Sequence, residues 1–450
     1  MCSAQVSAPE ADTWVSKAHR RLIVTGSKQL GESMTNVARK RNGASRTLRT
    51  CSVLGLAASM LVVAETATAN ARQIAVDLHV RLNAGVLPTA EKLTEMEALL
   101  RDGKPREAAL AAINDSRGLF YTIVLRDKFA PLSVHDLSPF NPAQPINDMT
   151  ATMIGMVRDD KPFNQVLSAD ILYFSPAVQQ GTGAAPYSLA NNNHYATVHT
   201  RDLALNNPAN LAESPQSATG MGLPAAGVAG IMSTRGFAAA FYIDGTNRRA
   251  FKYVLKHFLG EDIERFKDTT IADFRVRKDV PRIPGGNATD FVNNCKGCHA
   301  GMDAMAGAFC YYNYRSTVAN GPMTLVHMPG VIQEKCVRNS NEFEDGFQTV
   351  DDSWVNLWAA DGGQNAFVGW PAQRDGRGAK SFGEMIGNTT AFTTTMARLA
   401  LEVGCKVVDA KAEAYKPLVE QLAAEFKADK FNLKNSIASA AARCTPKVSI

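Results

Sequence analysis

The chain has 450 residues, of which 45% are hydrophobic and 20% are charged. These proportions are typical of a globular protein and exclude a disordered tail protein or a fibrous repeat. Eight cysteines are too few for a small scaffold built on disulfides. The net charge of +5 hints at an acidic partner such as nucleic acid, so its distribution along the chain has to be considered.

Much of this charge lies near the N-terminus, ahead of an uncharged apolar run at 51–64. Five basic residues precede the run: Arg39, Lys40, Arg41, Arg46 and Arg49. Small residues follow it as far as Ala71. This order is typical of a secretory signal peptide, and the run is too short to anchor a protein in a bilayer. A buried N-terminal helix is the alternative, but it explains neither the basic flank nor the small residues. We therefore expect cleavage after Ala71 and an exported, periplasmic protein.

A start at Met34 would give a signal peptide of ordinary length, with 1–33 as residues upstream of the start. Residues 1–71 contain nine Lys or Arg and four acidic residues, so the mature chain has 39 of each sign. This balance removes the argument for a nucleic-acid partner. No later segment has 18 uninterrupted apolar residues, so we expect no transmembrane anchor in the mature chain.

The rest of the chain is predicted to be mostly α-helical, because apolar residues recur at spacings of three and four and strand-like alternation is scarce. The predicted helices cover 92–113, 118–128, 146–157, 162–172, 247–259, 381–408, 411–428 and 432–443. Two stretches rich in Gly, Pro and Asn, 175–225 and 359–380, predict long irregular loops. The predicted domains are an N-terminal helical domain at 72–219 ending in the first loop, a middle module at 220–345, and a C-terminal helical segment at 346–450.

The middle module contains Cys295-Lys-Gly-Cys298-His299, a C-x-x-C-H motif. This is the attachment site of c-type haem: the two thiols bond to the vinyl groups of one porphyrin edge, and the histidine supplies the proximal ligand of the iron. Chance would give the motif about 0.0025 times in this composition. A disulfide between the two cysteines or half of a zinc site are the alternatives, but no second ligand pair at zinc spacing follows. We expect one covalently bound haem c, in a cytochrome-c-like module.

The sequence around the motif suits a haem pocket. Apolar and aromatic residues follow His299, including Tyr311, Tyr312 and Tyr314, and would keep water from the porphyrin, although core packing is an alternative. A basic group precedes the motif: Arg275, Arg277, Lys278 and Arg282. These side chains match the haem propionates, with a solvated face as the alternative.

The sixth iron ligand decides between functions, because a closed iron suits electron transfer and an open one binds small molecules. The candidates are Met323, His327 and Met328, in the turn-rich stretch 321–330, with Met328 or His327 favoured. Weaker candidates, such as His194, lie further away in the chain.

Four cysteines remain in the mature chain: Cys310, Cys336, Cys405 and Cys444. An even number in an exported protein predicts two disulfides, and four cysteines allow three pairings. The simplest pairing is local, which joins Cys310 to Cys336 and Cys405 to Cys444.

Several segments resemble the exported bacterial cytochrome-c-like domains first recognised in planctomycete proteins. The similar segments are 158–170, 230–237, 245–259, 295–303 and 381–386. The resemblance covers most of 150–410 but is specific only around Cys295, Cys298 and His299, to which it assigns covalent haem outside the cytoplasm. Relatives carry a Glu soon after the haem histidine, and 307–313 of this chain lacks it, so the role of that acid does not transfer.

These observations predict a periplasmic monohaem cytochrome that passes electrons between redox partner proteins. A haem enzyme of peroxidase or oxygenase type is the alternative, with the loop at 175–225 shaping a pocket. A third possibility is a docking scaffold that carries haem. The length favours these alternatives, because an electron carrier needs only about 100 residues.

Overall fold

The computed structural model describes residues 70–133, 144–180, 182–243, 247–337, 343–360 and 363–448. The predicted signal peptide and the residues before it lie outside this part of the chain, except for residues 70 and 71, which begin the first helix. Helix accounts for 54% of the structure and strand for 7%, which confirms the prediction of a mostly α protein. No described helix is both long and apolar enough to cross a membrane.

The α-helices lie in chain order along the described residues. They are α1 (70–82), α2 (Ala90–Arg101), α3 (Pro105–Ile113), α4 (Arg126–Phe129), α5 (Asp148–Arg158), α6 (Pro176–Gln179), α7 (Asn193–Thr200), α8 (Arg235–Phe241), α9 (Asn247–Val254), α10 (Ala288–Asp290), α11 (Gly297–Met305), α12 (Glu334–Val337), α13 (Gly378–Gly387), α14 (Thr390–Cys405), α15 (Lys416–Ala428) and α16 (Leu433–Arg443). π-Helical turns occupy Phe120–Leu125, Leu255–Leu259 and Phe291–Lys296.

The strands are short and form antiparallel pairs. They are β1 (Leu172–Phe174) with β2 (Ala212–Ser214), β3 (Tyr312–Ser316) with β4 (Met323–His327), and β5 (Ser353–Val355) with β6 (Asp375–Arg377). The β3–β4 hairpin follows the segment that carries the C-x-x-C-H motif and contains one of the two predicted distal ligands.

The predicted helix at 92–113 is two helices, α2 and α3. Thr89 caps α2, because its side chain accepts a hydrogen bond from Lys92 N. The chain then turns at Gly103, which has a φ of +71° that glycine adopts without strain. Pro105 starts α3, where the missing N–H costs nothing.

The predicted helix at 162–172 is wrong. Its backbone bonds to another part of the chain: Val166 O accepts from Ile231 N at 2.9 Å, and Ala169 O accepts from Gly230 N at 3.1 Å. Only a short 3-10 turn, Phe163–Gln165, forms before β1 begins. Tertiary hydrogen bonds thus replace the helical ones that the apolar spacing predicted.

The loop predicted at 175–225 is mostly irregular, although it contains α6, α7 and β2. Buried Arg158 ties it to α5 by donating to Leu205 O at 3.1 Å and to Leu211 O at 2.7 Å. The loop therefore packs on the N-terminal helices.

The C-terminal helices close back onto the N-terminal ones. Thr389 separates α13 from α14 and caps α14, so the predicted helix at 381–408 is also two helices. Helix α14 packs on α15 and α16, and α16 packs on α3. All three predicted domains contribute to one hydrophobic core, with Leu78, Phe251 and Leu401 among its fully buried residues.

Two disulfides join pairs of described cysteines, and each links local partners. The Cα atoms of Cys310 and Cys336 are 5.7 Å apart, and those of Cys405 and Cys444 are also 5.7 Å apart. Of the three possible pairings the local one is confirmed. It ties the end of the motif segment to α12, and α14 to the end of α16.

Candidate functional site

The C-x-x-C-H motif lies where the π-helical turn Phe291–Lys296 continues into α11. Residues three and four apart lie on one face of a helix. Cys298 and His299 are neighbours at the start of α11, and Cys295 lies about one turn before them, in the π-helical turn that leads into the helix.

Two glycines allow α11 to approach its neighbours closely. A Cβ on Gly297 would lie 2.8 Å from Lys267 Cγ, and the Gly297 carbonyl accepts a hydrogen bond from Asp268 N at 2.9 Å. A Cβ on Gly301 would lie 2.1 Å from Cε2 of Trp358. Larger residues would push the helix away, so these contacts fix the position of the motif.

The two cysteines differ in their surroundings. Cys295 is buried in a small apolar cluster with Val276, Val280, Phe291 and Ala300. Cys298 is half-buried and its thiol is outside the disulfides. Burial raises the pKa of the Cys298 thiol. The apolar wall beside Cys295 suits the hydrocarbon edge of a porphyrin.

The His299 ring is held through one nitrogen. Its Nδ1 lies 3.3 Å from Oδ2 of Asp303, one helical turn later. Its Nε2 has no hydrogen-bond partner among the described residues. Histidines that bind metals usually donate their other N–H to a carboxylate or carbonyl, which fixes the tautomer and the ring orientation. The contact of Nδ1 with Asp303 matches the arrangement of a histidine that binds through Nε2.

Asp303 is the centre of a buried ionic cluster. Arg248 donates to it through Nε at 2.6 Å and Nη2 at 2.9 Å, and the backbone N–H of Arg277 donates at 3.1 Å. Arg248 also binds Asp279, at 2.5 and 2.8 Å. Burial by itself raises the pKa of Asp303, but the charge of Arg248 and the hydrogen bond with His299 hold that pKa well below its ordinary value. The carboxylate that faces His299 is therefore ionised.

Arg277 is a buried cation with unused donors. Its side chain is 1% exposed, and its Nη1 lies 3.2 Å from Asn247 Oδ1. Its Nε and Nη2 have no hydrogen-bond partner. Burial lowers the pKa of this guanidinium to about 10. A buried cation with two free donors lacks an acceptor, and a carboxylate matches the geometry of the guanidinium.

The other predicted propionate partners have different roles. The guanidinium of Arg275 lies over the ring of Phe347, 4.5 Å from its centroid. Arg282 donates to the carbonyl of Val280 at 2.6 Å and stacks on Phe291. Of the predicted basic group, the free donors are found on Arg277.

The two predicted distal ligands lie at and just beyond the end of β4. The His327 ring packs on Tyr312, with 4.6 Å between centroids, and burial lowers its pKa to about 4. The imidazole is therefore neutral at physiological pH, as a metal ligand must be. The Met328 sulfur accepts from Arg315 Nη2 at 3.1 Å. Among the described residues, no hydrogen bond or ring contact joins either residue to His299, so both remain predictions.

His194, a weaker candidate, is fully engaged within its own region. Its Nε2 accepts from Ser175 N at 2.9 Å and its Nδ1 lies 2.7 Å from Ala185 O. Neither ring nitrogen is left for a metal, so His194 serves the fold.

The aromatic residues after the motif mainly pack in the core. Tyr312 stacks on Tyr242 with 5.2 Å between centroids, and its hydroxyl donates to Gly227 O at 3.1 Å. Tyr314 is largely buried. This arrangement is the core-packing alternative for these two tyrosines.

The residues present fit a covalently held haem. The donor set would consist of Cys295 and Cys298, the Nε2 of His299, and buried guanidinium nitrogens of Arg277 for a carboxylate. Cys295 is disulfide-bonded in this structure, so the motif would take haem only with that thiol reduced. Among the described residues, no group of three or more His, Cys, Asp or Glu side chains is arranged to bind a bare metal ion. A haem requires no such group, because the porphyrin supplies most ligands of its iron.

Sequence reasoning missed the partners behind the histidine. Asp303 follows His299 by four residues, a spacing that identifies it once the segment is known to be helical. Arg248 and Trp358 lie more than 50 residues from His299 in the sequence, and no local pattern points to them.

No protein-family model matches the chain, and neither the curated proteins nor the solved structures contain a detectable match. The functional argument therefore comes from this chain's own residues.

Proposed function

We propose that the protein is an exported monohaem c-type cytochrome that transfers electrons in the periplasm. Cys295 and Cys298 hold the haem through thioether bonds, and His299 ligates its iron through Nε2. The observation that carries this proposal is the His299 ring, whose Nδ1 lies 3.3 Å from Asp303 Oδ2 and whose Nε2 has no hydrogen-bond partner among the described residues, directly after the Cys295 and Cys298 pair in the chain. Bound haem supplies a one-electron iron couple.

The surrounding residues have distinct tasks in this proposal. Asp303 orients the imidazole, and the apolar cluster around Cys295 keeps water from the porphyrin edge. The free nitrogens of Arg277 receive a propionate. The resemblance of 295–303 to exported bacterial cytochrome-c-like domains supports the same assignment, and redox proteins are the expected partners.

Covalent attachment is tested by expressing the full chain for export in a host with a c-type cytochrome maturation system. We expect haem to stay with the denatured wild-type protein after acid–acetone extraction. The single variants Cys295→Ala and Cys298→Ala should each lose a thioether, and the double variant should lose all covalent haem. The matched control is the pair Cys405→Ala and Cys444→Ala, which removes two cysteines but keeps the motif. Extraction of all haem from the wild type would refute the assignment.

Export is tested on the same protein. N-terminal sequencing of material from the periplasm should begin at Arg72, directly after Ala71. Replacing Arg39, Lys40 and Arg41 by Gln should retain the chain in the cytoplasm without haem, because the basic region directs export. An intact N-terminus on periplasmic protein would contradict the proposed cleavage.

A haem enzyme of peroxidase or oxygenase type is the second candidate, and the His299–Asp303 contact favours it. A carboxylate behind the ligating histidine raises its basicity, which supports chemistry on bound oxygen species as well as electron transfer. The two functions differ in whether the sixth iron position is closed.

Absorption spectra of oxidised and reduced protein with and without CO separate the two functions. Electron transfer predicts low-spin bands that CO leaves unchanged. In that case Met328→Ala and His327→Ala identify the sixth ligand, because only the variant that lacks it becomes high-spin and binds CO. A wild-type protein that is high-spin and binds CO readily would overturn the electron-transfer function in favour of the enzyme.

A further inference from the structure

Three kinds of donor converge on one carboxylate oxygen behind the candidate iron ligand. Oδ2 of Asp303 accepts from His299 Nδ1 at 3.3 Å, from Arg248 Nη2 at 2.9 Å and from the backbone of Arg277 at 3.1 Å. The Arg248 bond is shorter than the histidine bond, and Arg248 also reaches Oδ1 at 2.6 Å. The histidine therefore shares its acceptor with a stronger, charged donor.

We infer that Arg248 sets the reduction potential of the haem by controlling how strongly Asp303 accepts the hydrogen bond of His299. The inference rests on the proposed function and adds Arg248 as a positioning residue behind Asp303. Asp303 and Arg248 act through His299 and need not touch the haem.

Arg248 would act on the reduction potential in two steps, through Asp303 and then through His299. A carboxylate that accepts from the Nδ1–H of a ligating histidine makes the ring a stronger electron donor, which favours ferric over ferrous iron and lowers the potential. Arg248 opposes this effect, because its bidentate bond neutralises the charge of the carboxylate. The Arg248 guanidinium also donates to Asp279, at 2.5 and 2.8 Å, and this second partner limits how far Arg248 neutralises Asp303.

The two residues should therefore move the potential in opposite directions. Asp303→Asn weakens the acceptor, so we expect a higher potential. Arg248→Gln releases the carboxylate to His299, so we expect a lower one. For each we expect about a tenfold change in the equilibrium constant for reduction, which is 59 mV for one electron. Arg248→Lys keeps a cation but loses the bidentate bond, so it should lower the reduction potential by less than Arg248→Gln. It replaces the Gln variant if that variant does not fold.

Loss of a nearby charge also shifts a potential, so a control of equal charge is needed. Arg282 provides this control, because its guanidinium interacts electrostatically with Asp303 without a hydrogen bond to it. Its hydrogen bonds go to backbone carbonyls at Val276, Arg277 and Val280, and its Nε pairs with Asp273 at 3.6 Å. Arg282→Gln should shift the potential less than Arg248→Gln does. A matching shift would show that only the field of the cation matters and would overturn the inference.

A second readout does not depend on haem. The readout is the NMR chemical shift of the Nδ1 proton of His299 in labelled haem-free protein. This resonance should move downfield in Arg248→Gln and upfield in Asp303→Asn, and it should stay in place in Arg282→Gln. A wild type without covalent haem would refute the proposed function, while the proton shifts still test the hydrogen bond. Proton shifts that are equal in all variants, or potentials that move in one direction, would refute the inference even if haem is bound.

Discussion

The indole of Trp358 lies directly against Gly301, so that a Cβ at residue 301 would be 2.1 Å from Cε2 of the ring. Trp358 is 1% exposed and also stacks on Phe266, with 5.0 Å between centroids. Since the ring cannot move toward solvent, the absence of a side chain at Gly301 places α11, and with it the haem motif, against the core.

Gly301→Ala should therefore destabilise the protein although alanine is the better helix former. Overpacking of this kind costs about 2 kcal/mol, against a gain of up to about 1 kcal/mol from helix propensity. Denaturant unfolding measures the change. Combining Gly301→Ala with Trp358→Leu should recover part of the loss, because the smaller side chain leaves room for the new methyl group. Additive effects of the two substitutions would contradict the contact.

Removal of the Cys405–Cys444 disulfide should lower the free energy of unfolding by about 4 kcal/mol, because the closed loop spans 39 residues. The Cys310–Cys336 disulfide closes a shorter loop of 26 residues, so its removal should cost slightly less, about 3.5 kcal/mol. Paired Cys→Ala variants, unfolded in denaturant, give both values. The reduced wild type should match the variant that lacks both bridges. A peptide map of the oxidised protein that joins cysteines across the two pairs would refute the assignment.

The sequence predicted what depends on local spacing. Helix α5 and the C-terminal helices carry apolar residues at helical spacing, and both disulfides join the nearest partners. The helix expected at 162–172 failed because its carbonyls bond to Gly230 and Ile231, about 60 residues away. Apolar spacing does not encode such a partner.

In the candidate site, too, the sequence predicted the residues of a local motif but not their distant partners. Cys295, Cys298 and His299 follow from a five-residue motif, because the chemistry of haem attachment fixes their spacing. The residues that tune the site come from elsewhere: Arg248 reaches Asp303 across 55 positions. The burial of Arg277 could not be predicted from the sequence either, because a basic residue among other basic residues is usually solvated.

Asp148→Asn should destabilise the protein by about 3 kcal/mol, because the site is built for an acceptor with two oxygens. Asp148 is fully buried, and its carboxylate accepts three hydrogen bonds. They come from Arg235 N at 2.6 Å, Gly236 N at 2.8 Å and the Tyr187 hydroxyl at 2.9 Å. An asparagine turns an NH2 group toward at least one of these donors. The chemical denaturation midpoint gives the change.

Asp127→Asn is the control for this charge removal. Asp127 is exposed and pairs with its neighbour Arg126 at 2.8 Å. Such pairs contribute less than about 1 kcal/mol. Equal effects at both positions would show that net charge, rather than the buried hydrogen bonds of Asp148, determines the loss.

The protein should lose stability as the pH falls below about 6.5, and His194 should account for part of the loss. Burial lowers the pKa of His194, and its Nε2 accepts the Ser175 amide, so the folded protein keeps the ring neutral. The unfolded chain takes up a proton near pH 6.5, and it therefore binds more protons than the folded state below that value. Stability from this residue is present above pH 6.5 and is lost as the pH falls toward the folded pKa.

We expect His194→Gln, whose amide can accept from Ser175 and donate to Ala185, to reduce the loss of stability between pH 7 and 5. His199→Gln, at an exposed position in the same helix, should leave the pH profile unchanged. Thermal or denaturant unfolding at several pH values measures these profiles, and identical slopes for wild type and His194→Gln would contradict the role of the neutral ring.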